Sequence, residues 1–254
     1  MKLRDKVAII TGASKGIGKG IAIRFAEEGA AVVLASRSAD LLASIAGQIR
    51  DGDGRALALP MDVRRPESVE AVVQETVREY GRLDIMVNNA GISMVHPSED
   101  LKPEDWQRAL ETDLFGVFYG CQSAARQMIV QGTGGSIINL SSAYGLVAAP
   151  MRAAYCTSKA GANMLTKLLA CEWASKNIRV NAIAPGYVRT ELVEDLIDRG
   201  ALPLGAIEKR TPQGRIGEVS DLLAVAVLLA CDESAFMTGS IVTVDGGWTA
   251  YGYL

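Results

Sequence analysis

The sequence is short of positive charge, of histidine, of aromatic residues and of long apolar runs, and each shortage closes off a class of function. Lys and Arg number 26 against 29 Asp and Glu, for a formal net charge of −3. A nucleic-acid partner requires a basic face, so none is expected. The longest apolar stretch, Leu222 to Cys231, is ten residues, about half of what a membrane-spanning helix needs. The N-terminal MKLRDKVAII is charged, but its apolar run leads straight into a glycine motif and lacks the shape of a signal peptide. The cysteines, Cys121, Cys156, Cys171 and Cys231, have no regular spacing, which suits reduced, packed thiols better than a disulfide framework. The lone histidine, His96, reads as a loop residue. No His/Cys/Asp/Glu cluster has metal-ligand spacing, so no metal is expected. A cytoplasmic protein with no membrane partner is the resulting expectation.

What is abundant is small and branched aliphatic side chain: 49% of residues are apolar while only 6% are aromatic. Short apolar runs alternate with helical patterns, the signature of parallel β-α-β units. Strands are expected near Val7–Thr11, Ala31–Ala35, Ala56–Met61, Ile85–Asn88, Ser136–Ser141, Arg179–Ala184 and Ile241–Val244. Most show no polar alternation, as when helices cover both faces of a sheet. No linker, repeat or low-complexity tract divides the chain. The expected fold is α/β, one doubly wound Rossmann-type domain over residues 1–254 with a parallel sheet of about seven strands.

The helices carry their own signals. One runs from about Gly16 to Glu28, with Ile17, Ile21 and Phe25 on one face. Pro66 suits a first helical position, Val69, Val72, Val73 and Val77 recur at helical spacing, and Gly81 follows where a helix end favours glycine. Leu114–Val130, Ala154–Trp173 and Leu222–Leu229 are apolar around most of their circumference. Such helices need cover on more than one side, from a second subunit or from the chain's own loops.

Val7-Ala-Ile-Ile-Thr-Gly-Ala-Ser-Lys-Gly-Ile-Gly18 reads as strand, glycine turn and helix start. Gly12, Gly16 and Gly18 would let the backbone approach a pyrophosphate, and the helix N-terminus adds unpaired N–H groups. A tight structural turn would also use these glycines. The end of the second strand reads Ala35-Ser36-Arg37-Ser38, without the carboxylate that binds a ribose 2′-hydroxyl in folds preferring NAD. Arg37 can pair with a 2′-phosphate, Ser36 offers a hydroxyl and Lys15 adds charge, so the expected cofactor is NADP(H). Taken singly, Lys15 or Arg37 could be solvated surface charge.

Tyr155-Cys-Thr-Ser-Lys159 places a phenol and an ammonium four residues apart on one helix face. A phenol is a poor base at neutral pH, and a nearby cation favours the phenolate. Ser142, thirteen residues before Tyr155, follows a strand end, where open α/β sheets bind ligands. Its hydroxyl could stabilise charge on a substrate oxygen or simply cap a turn.

Thr11-Gly-x-x-x-Gly-x-Gly18, Asn88-Asn-Ala-Gly91, Ser142, Tyr155-x-x-x-Lys159 and Pro185-Gly186 occur in order, and together they resemble the short-chain dehydrogenase/reductase family over essentially the whole chain, Lys6 to Gly247. The likeness is to 3-oxoacyl-ACP reductase-like and polyol or sugar dehydrogenase-like members. It implies that Tyr155 is the general acid in carbonyl reduction and the base in alcohol oxidation. Lys159 would hold the nicotinamide ribose, and Ser142 would position the substrate oxygen. Asp62 would meet the adenine amino group, with Val63 beside the ring. Ser14, Ile17, Asn89, Ala90 and Gly91 would line the cofactor cleft with the glycine turn. Val188 and Thr190, after Pro185-Gly186, would hold the carboxamide and phosphates. A homotetramer is implied as well.

One position departs from the pattern. The family carries Asn in a phrase like Asn-Leu-x-Gly, and here Asp113-Leu-Phe-Gly116 stands in its place. Asp113 could still accept a hydrogen bond from a proton-relaying water. Its charge near Lys159 would stabilise the ammonium and partly cancel its field at Tyr155, altering the pH optimum.

The substrate is expected beneath 187–210, where Leu192, Val193, Leu196 and Ile197 suggest a short amphipathic lid helix. Ser93 to His96 and Tyr144 to Met151 would form the opposite wall. That wall suits a polyol or sugar, a 3-oxoacyl thioester or a small ketone. The aromatic tail Trp248 to Leu254 is expected at a subunit boundary. An NAD-dependent dehydrogenase and a non-catalytic cofactor-binding scaffold are the alternatives.

Overall fold

Strands whose side chains are apolar on both faces must be covered from both sides, and that requirement sets the architecture. The computed structural model describes residues 1–252, so Tyr253 and Leu254 of the aromatic tail lie outside the described residues. In chain order the first half runs β1 (Val7–Thr11), α1 (Gly16–Glu27), β2 (Ala31–Ser36), α2 (Ala39–Asp51), β3 (Arg55–Pro60), α3 (Pro66–Tyr80), β4 (Ile85–Asn88), α4 (Pro103–Leu110) and α5 (Gly116–Gln131). The second half runs β5 (Gly135–Leu140), α6 (Ala153–Trp173), β6 (Ile178–Pro185), β7 (Val188–Arg189), α7 (Glu191–Asp198), α8 (Leu204–Arg210), β8 (Gly217–Glu218), α9 (Val219–Ala230) and β9 (Ile241–Val244). Seven strands form one parallel sheet in the order β3-β2-β1-β4-β5-β6-β9, and β7 and β8 pair as a separate two-stranded ribbon.

Alternation along each strand divides the core in two. Ala8 and Ile10 of β1 face Ile21 and Phe25 of α1, Leu42 of α2 and Leu222 of α9. Ile9, between them, faces the other layer, with Val72 of α3, Val117 of α5 and Leu169 of α6. The chain is therefore a three-layer α/β/α sandwich, as the uninterrupted apolar strands foretell. Pro66 opens α3, and Gly81 ends it with φ 79°. That left-handed conformation is the reason a glycine belongs there.

Strand limits differ from the sequence reading by a residue at several ends, β3 running from Arg55 to Pro60 and β5 from Gly135 to Leu140. A larger difference lies before α5. A wide π-type turn, Glu111–Phe115, joins α4 to α5 without a loop. The three all-round apolar helices also part company. α9 is covered by its own chain: Leu222, Ala226, Val227 and Leu229 are buried, and Gly20 of α1 lets Val219 approach the helix backbone. α5 and α6 instead leave Phe118, Met164 and Leu168 exposed.

Candidate active site

β1 leads through α1 to β2 on one side, while its other neighbour, β4, arrives later in the chain. The connections leave the carboxyl ends of β1 and β4 in opposite directions, opening a crevice there. The glycine turn lies at the crevice floor. Gly12 and Gly16 have φ of 65° and 56°, conformations that side chains resist. A Cβ on Gly12 would stand 2.9 Å from the Cα of Ala90, so the turn presses directly on the segment after β4. Thr11 Oγ1 fixes that segment by accepting from the N–H groups of Asn89 at 2.9 Å and Ala90 at 3.0 Å.

Whether the turn can hold an anion is answered by its own contacts. The Gly16 N–H donates to a carboxylate oxygen of Glu191 at 2.9 Å, and this is the chemistry a diphosphate oxygen needs. The cleft above it, about 630 Å³, is lined by Gly12, Ser14, Lys15, Gly16 and Ile17 of the turn and by Ser36 and Arg37 at the end of β2. Asp62, Val63, Asn89, Ala90, Gly91 and Thr190 complete its walls. Gly18 is buried and stands apart from the residues that line this cleft and the adjoining cavity. Its missing side chain makes room for the Asn89 amide and the Gly12 carbonyl. That glycine serves the packing of the turn, one step behind the surface a ligand would touch.

Charge in the cleft is uneven. The Arg64 guanidinium grips Asp62, with contacts as close as 2.6 Å, and holds its carboxyl down to about 2. Lys15 and Arg37 are exposed and make no ion pair among the described residues. This part of the cleft thus carries two cations that make no ion pair among the described residues, although the Arg37 charge is felt at Asp62.

An adjoining cavity of about 290 Å³ shares Ile17, Asn89, Gly91 and Thr190 with the cleft, and the two are continuous. Its walls include Tyr155, Lys159, Pro185, Gly186 and Val188, and its roof is Leu192, Val193 and Leu196 of α7. α6 carries Tyr155 and Lys159 on one face, with the ammonium 5.7 Å from the tyrosine ring centroid. Lys159 is only 4% exposed and donates to the Leu140 carbonyl at 2.9 Å. Ser142 caps the short turn after β5, its hydroxyl accepting from the Tyr144 N–H at 3.1 Å. Its neighbours Ser141 and Ala143 line the cavity wall, while Ser142 itself is buried. A hydroxyl that accepts one bond keeps its proton to donate elsewhere, so capping and a chemical role are compatible.

Asp113 sits inside the wide turn and is wholly buried. One oxygen accepts from the Ile92 N–H at 2.8 Å, and the other lies 3.8 Å from Lys159 Nζ without a hydrogen-bond partner among the described residues. Burial pushes its carboxyl above the usual range, opposed by the Lys159 charge. The acid is therefore beside Lys159, where the sequence comparison places it.

The far wall was partly foreseen. Ser93 and Tyr144 line the cavity, whereas His96 is exposed and joins the two wall loops by donating its backbone N–H to Met151 at 2.8 Å. Trp248 finds partners within its own chain, with ring centroids 5.5 Å from Tyr187 and 6.3 Å from Tyr144. Tyr144 donates to the Tyr187 hydroxyl at 3.1 Å, and burial raises its pKa. Sequence reasoning missed Arg152, which also lines this cavity, and Glu191 on the glycine turn. Each stands one to three residues from an assigned position, the only signal available. Among the described residues no group of His, Cys, Asp and Glu could hold a metal, and no helix is long and apolar enough to cross a membrane.

A family model described as Enoyl-(Acyl carrier protein) reductase matches residues 12–249. The chain is 40% identical over 248 residues to the NAD-dependent glycerol dehydrogenase of Listeria innocua, covering 97% of this chain and 95% of that protein. A short-chain type dehydrogenase/reductase from Mycobacterium marinum superposes with a TM-score of 0.93 at 42% identity, with 98% of each chain covered. A gluconate 5-dehydrogenase from Burkholderia cenocepacia, solved with NADP and tartrate, gives a TM-score of 0.93 at 39% identity, over 98% of this chain and 97% of that one.

Proposed function

This chain belongs to the short-chain dehydrogenase/reductase family, an oxidoreductase of alcohol and carbonyl groups that binds a nicotinamide cofactor, and from that premise we propose that it is an NADP(H)-dependent carbonyl reductase and alcohol dehydrogenase with Tyr155 as its proton-transfer residue. The observation that carries this reading is the convergence of Tyr155 and Lys159 on a cavity continuous with the glycine-turn cleft. The cofactor supplies or accepts the hydride when bound. Tyr155 gives its phenolic proton to the nascent alkoxide, or takes it in the reverse direction. Lys159 holds the nicotinamide ribose, its ammonium 5.7 Å from the Tyr155 ring centroid. Ser142 donates to the substrate oxygen. Asp62 and Val63 meet the adenine, and Val188 and Thr190 hold the carboxamide and phosphates. Residues 187–210 act as the lid.

NADP(H) is favoured over NAD(H) by Lys15 and Arg37, which make no ion pair among the described residues and stand in the cleft with Ser36, the last residue of β2, and by the NADP found with the Burkholderia relative. The NAD dependence in the Listeria enzyme's name supports the alternative. Arg37→Asp distinguishes them: the ratio of kcat/KM for NADPH over NADH should fall by roughly 100-fold or more. A ratio that does not move overturns the NADP assignment. The substrate is a ketose or polyol, a 3-oxoacyl thioester or a small ketone. NADPH oxidation against such a panel tests the reaction itself. Tyr155→Phe should abolish turnover while NADPH fluorescence still reports binding; turnover that survives removes Tyr155 from the mechanism.

A further inference from the structure

Among the described residues, the cavity beside Tyr155 has two cations in its wall, Lys159 and Arg152, and no carboxylate. Lys159 has Asp113 behind it at 3.8 Å. Arg152 has no acid within ion-pair distance among the described residues. Its guanidinium is nevertheless held in place. Nη1 donates to Ser93 Oγ at 3.0 Å, and the group lies over the Tyr144 ring, 5.4 Å from the centroid. One hydrogen bond and one stacking contact fix the plane and leave the rest of the fork to be used.

Its position makes the missing partner more telling. Arg152 is the residue that caps the start of α6, whose first turn has no acidic residue. The positive pole of a 21-residue helix disfavours a cation there. An arginine in that place, with no ion-pair partner among the described residues, leaves an unbalanced positive charge in the cavity wall. Arg152 also precedes Tyr155 by three residues, about 4.5 Å along a helix axis. Arg152 and Tyr155 line the same cavity of about 290 Å³, so a group bound to Arg152 shares a small space with a carbon reacting at Tyr155. The remaining walls, Leu192, Val193, Tyr187 and Trp248, have no charge to offer a second anion.

We propose that Arg152 anchors a carboxylate of the substrate, so that the substrate is a compact oxo acid, or the corresponding hydroxy acid, with its free carboxylate a few bonds from the reacting carbon. This rests on the reading of Tyr155 as the reacting centre. Carboxylate fits better than thioester, because the planar guanidinium fork pairs with two oxygens side by side. Arg152 is thereby a specificity-determining residue, acting on which carbonyl compounds are admitted.

The test compares matched substrates that share a carbonyl and chain length and differ only at the far end: free acid, methyl ester and phosphate monoester. Wild type should prefer acid over ester by on the order of 100-fold in kcat/KM, mainly through KM. In Arg152→Gln that preference should collapse to within a few-fold, and Arg152→Lys should recover part of it. NADPH binding by fluorescence verifies that each variant is folded. A wild-type preference near one, or a preference that Arg152→Gln leaves intact, overturns the proposal while the reductase reading stands on ester turnover lost in Tyr155→Phe. A phosphate monoester preferred over the acid overturns the carboxylate assignment. If wild type that binds NADPH turns over none of the three, the reductase reading and this inference fall together.

Discussion

At the scale of single residues, Asp113 is where this chain and its family pattern disagree, and the disagreement has measurable consequences. Its carboxyl is buried, with one oxygen unpartnered, and burial raises its pKa against the opposing Lys159 charge, so the native state binds this proton more tightly than the unfolded chain does. For such a raised group, stability is greatest below the unfolded value and declines as pH rises through it, because the native state then binds more protons than the unfolded one. Asp113→Asn keeps an oxygen for the Ile92 N–H and removes the charge. The variant should be more stable than wild type by about 1–3 kcal/mol at pH 8, with the gap closing toward pH 4, as read by thermal melts across pH. The same change leaves the Lys159 field at Tyr155 uncancelled, and the pH–rate profile for alcohol oxidation should move to lower pH. A profile and a melting series that both match wild type would show that Asp113 does not act on its neighbour.

Among elements, the proposed lid begins with a contact that would compete with the cofactor in the proposed site. Glu191, the first residue of α7, places its carboxylate on the Gly16 N–H, a donor that the proposed diphosphate also needs. Glu191→Gln removes a like charge from that place, so NADPH affinity should rise roughly 5- to 10-fold at low salt and less at high salt. Fluorescence titration at two ionic strengths checks it; equal affinities would mean that the contact is not on the path of the ligand. α7 itself was legible as an amphipathic helix from Leu192, Val193, Leu196 and Ile197. The seven strands were legible for the same kind of reason, a periodic or unbroken apolar run. The wide turn at Glu111–Phe115, the helix α8 and the β7–β8 ribbon were not, since these short pieces are set by what packs around them rather than by local pattern. Arg152 shows the same limit at the site. Its residue type was visible, but the lack of an acid near it is a fact of three dimensions.

For the molecule as a whole, α5 and α6 differ from α9 in how much apolar surface they leave open. Phe118, Met164 and Leu168 on α5 and α6 remain open to solvent while α9 is covered, and a face of that kind supports the proposed homotetramer. Phe118→Glu should release smaller species in sedimentation while the strand and helix signals of circular dichroism persist; an unchanged mass would move the interface elsewhere.

The strand order has one more consequence, for a chain that emerges from the ribosome N-terminus first. Everything that lines the phosphate and adenosine end of the cleft, apart from Thr190 and its neighbours, precedes Arg108 and Thr112, whereas the substrate cavity waits for Tyr187 and Trp248. The edge strand β9, which brings Trp248 into place, pairs only with β6. Synthesis therefore delivers most of the cleft's lining well before Tyr187 and Trp248 arrive to wall the adjoining cavity.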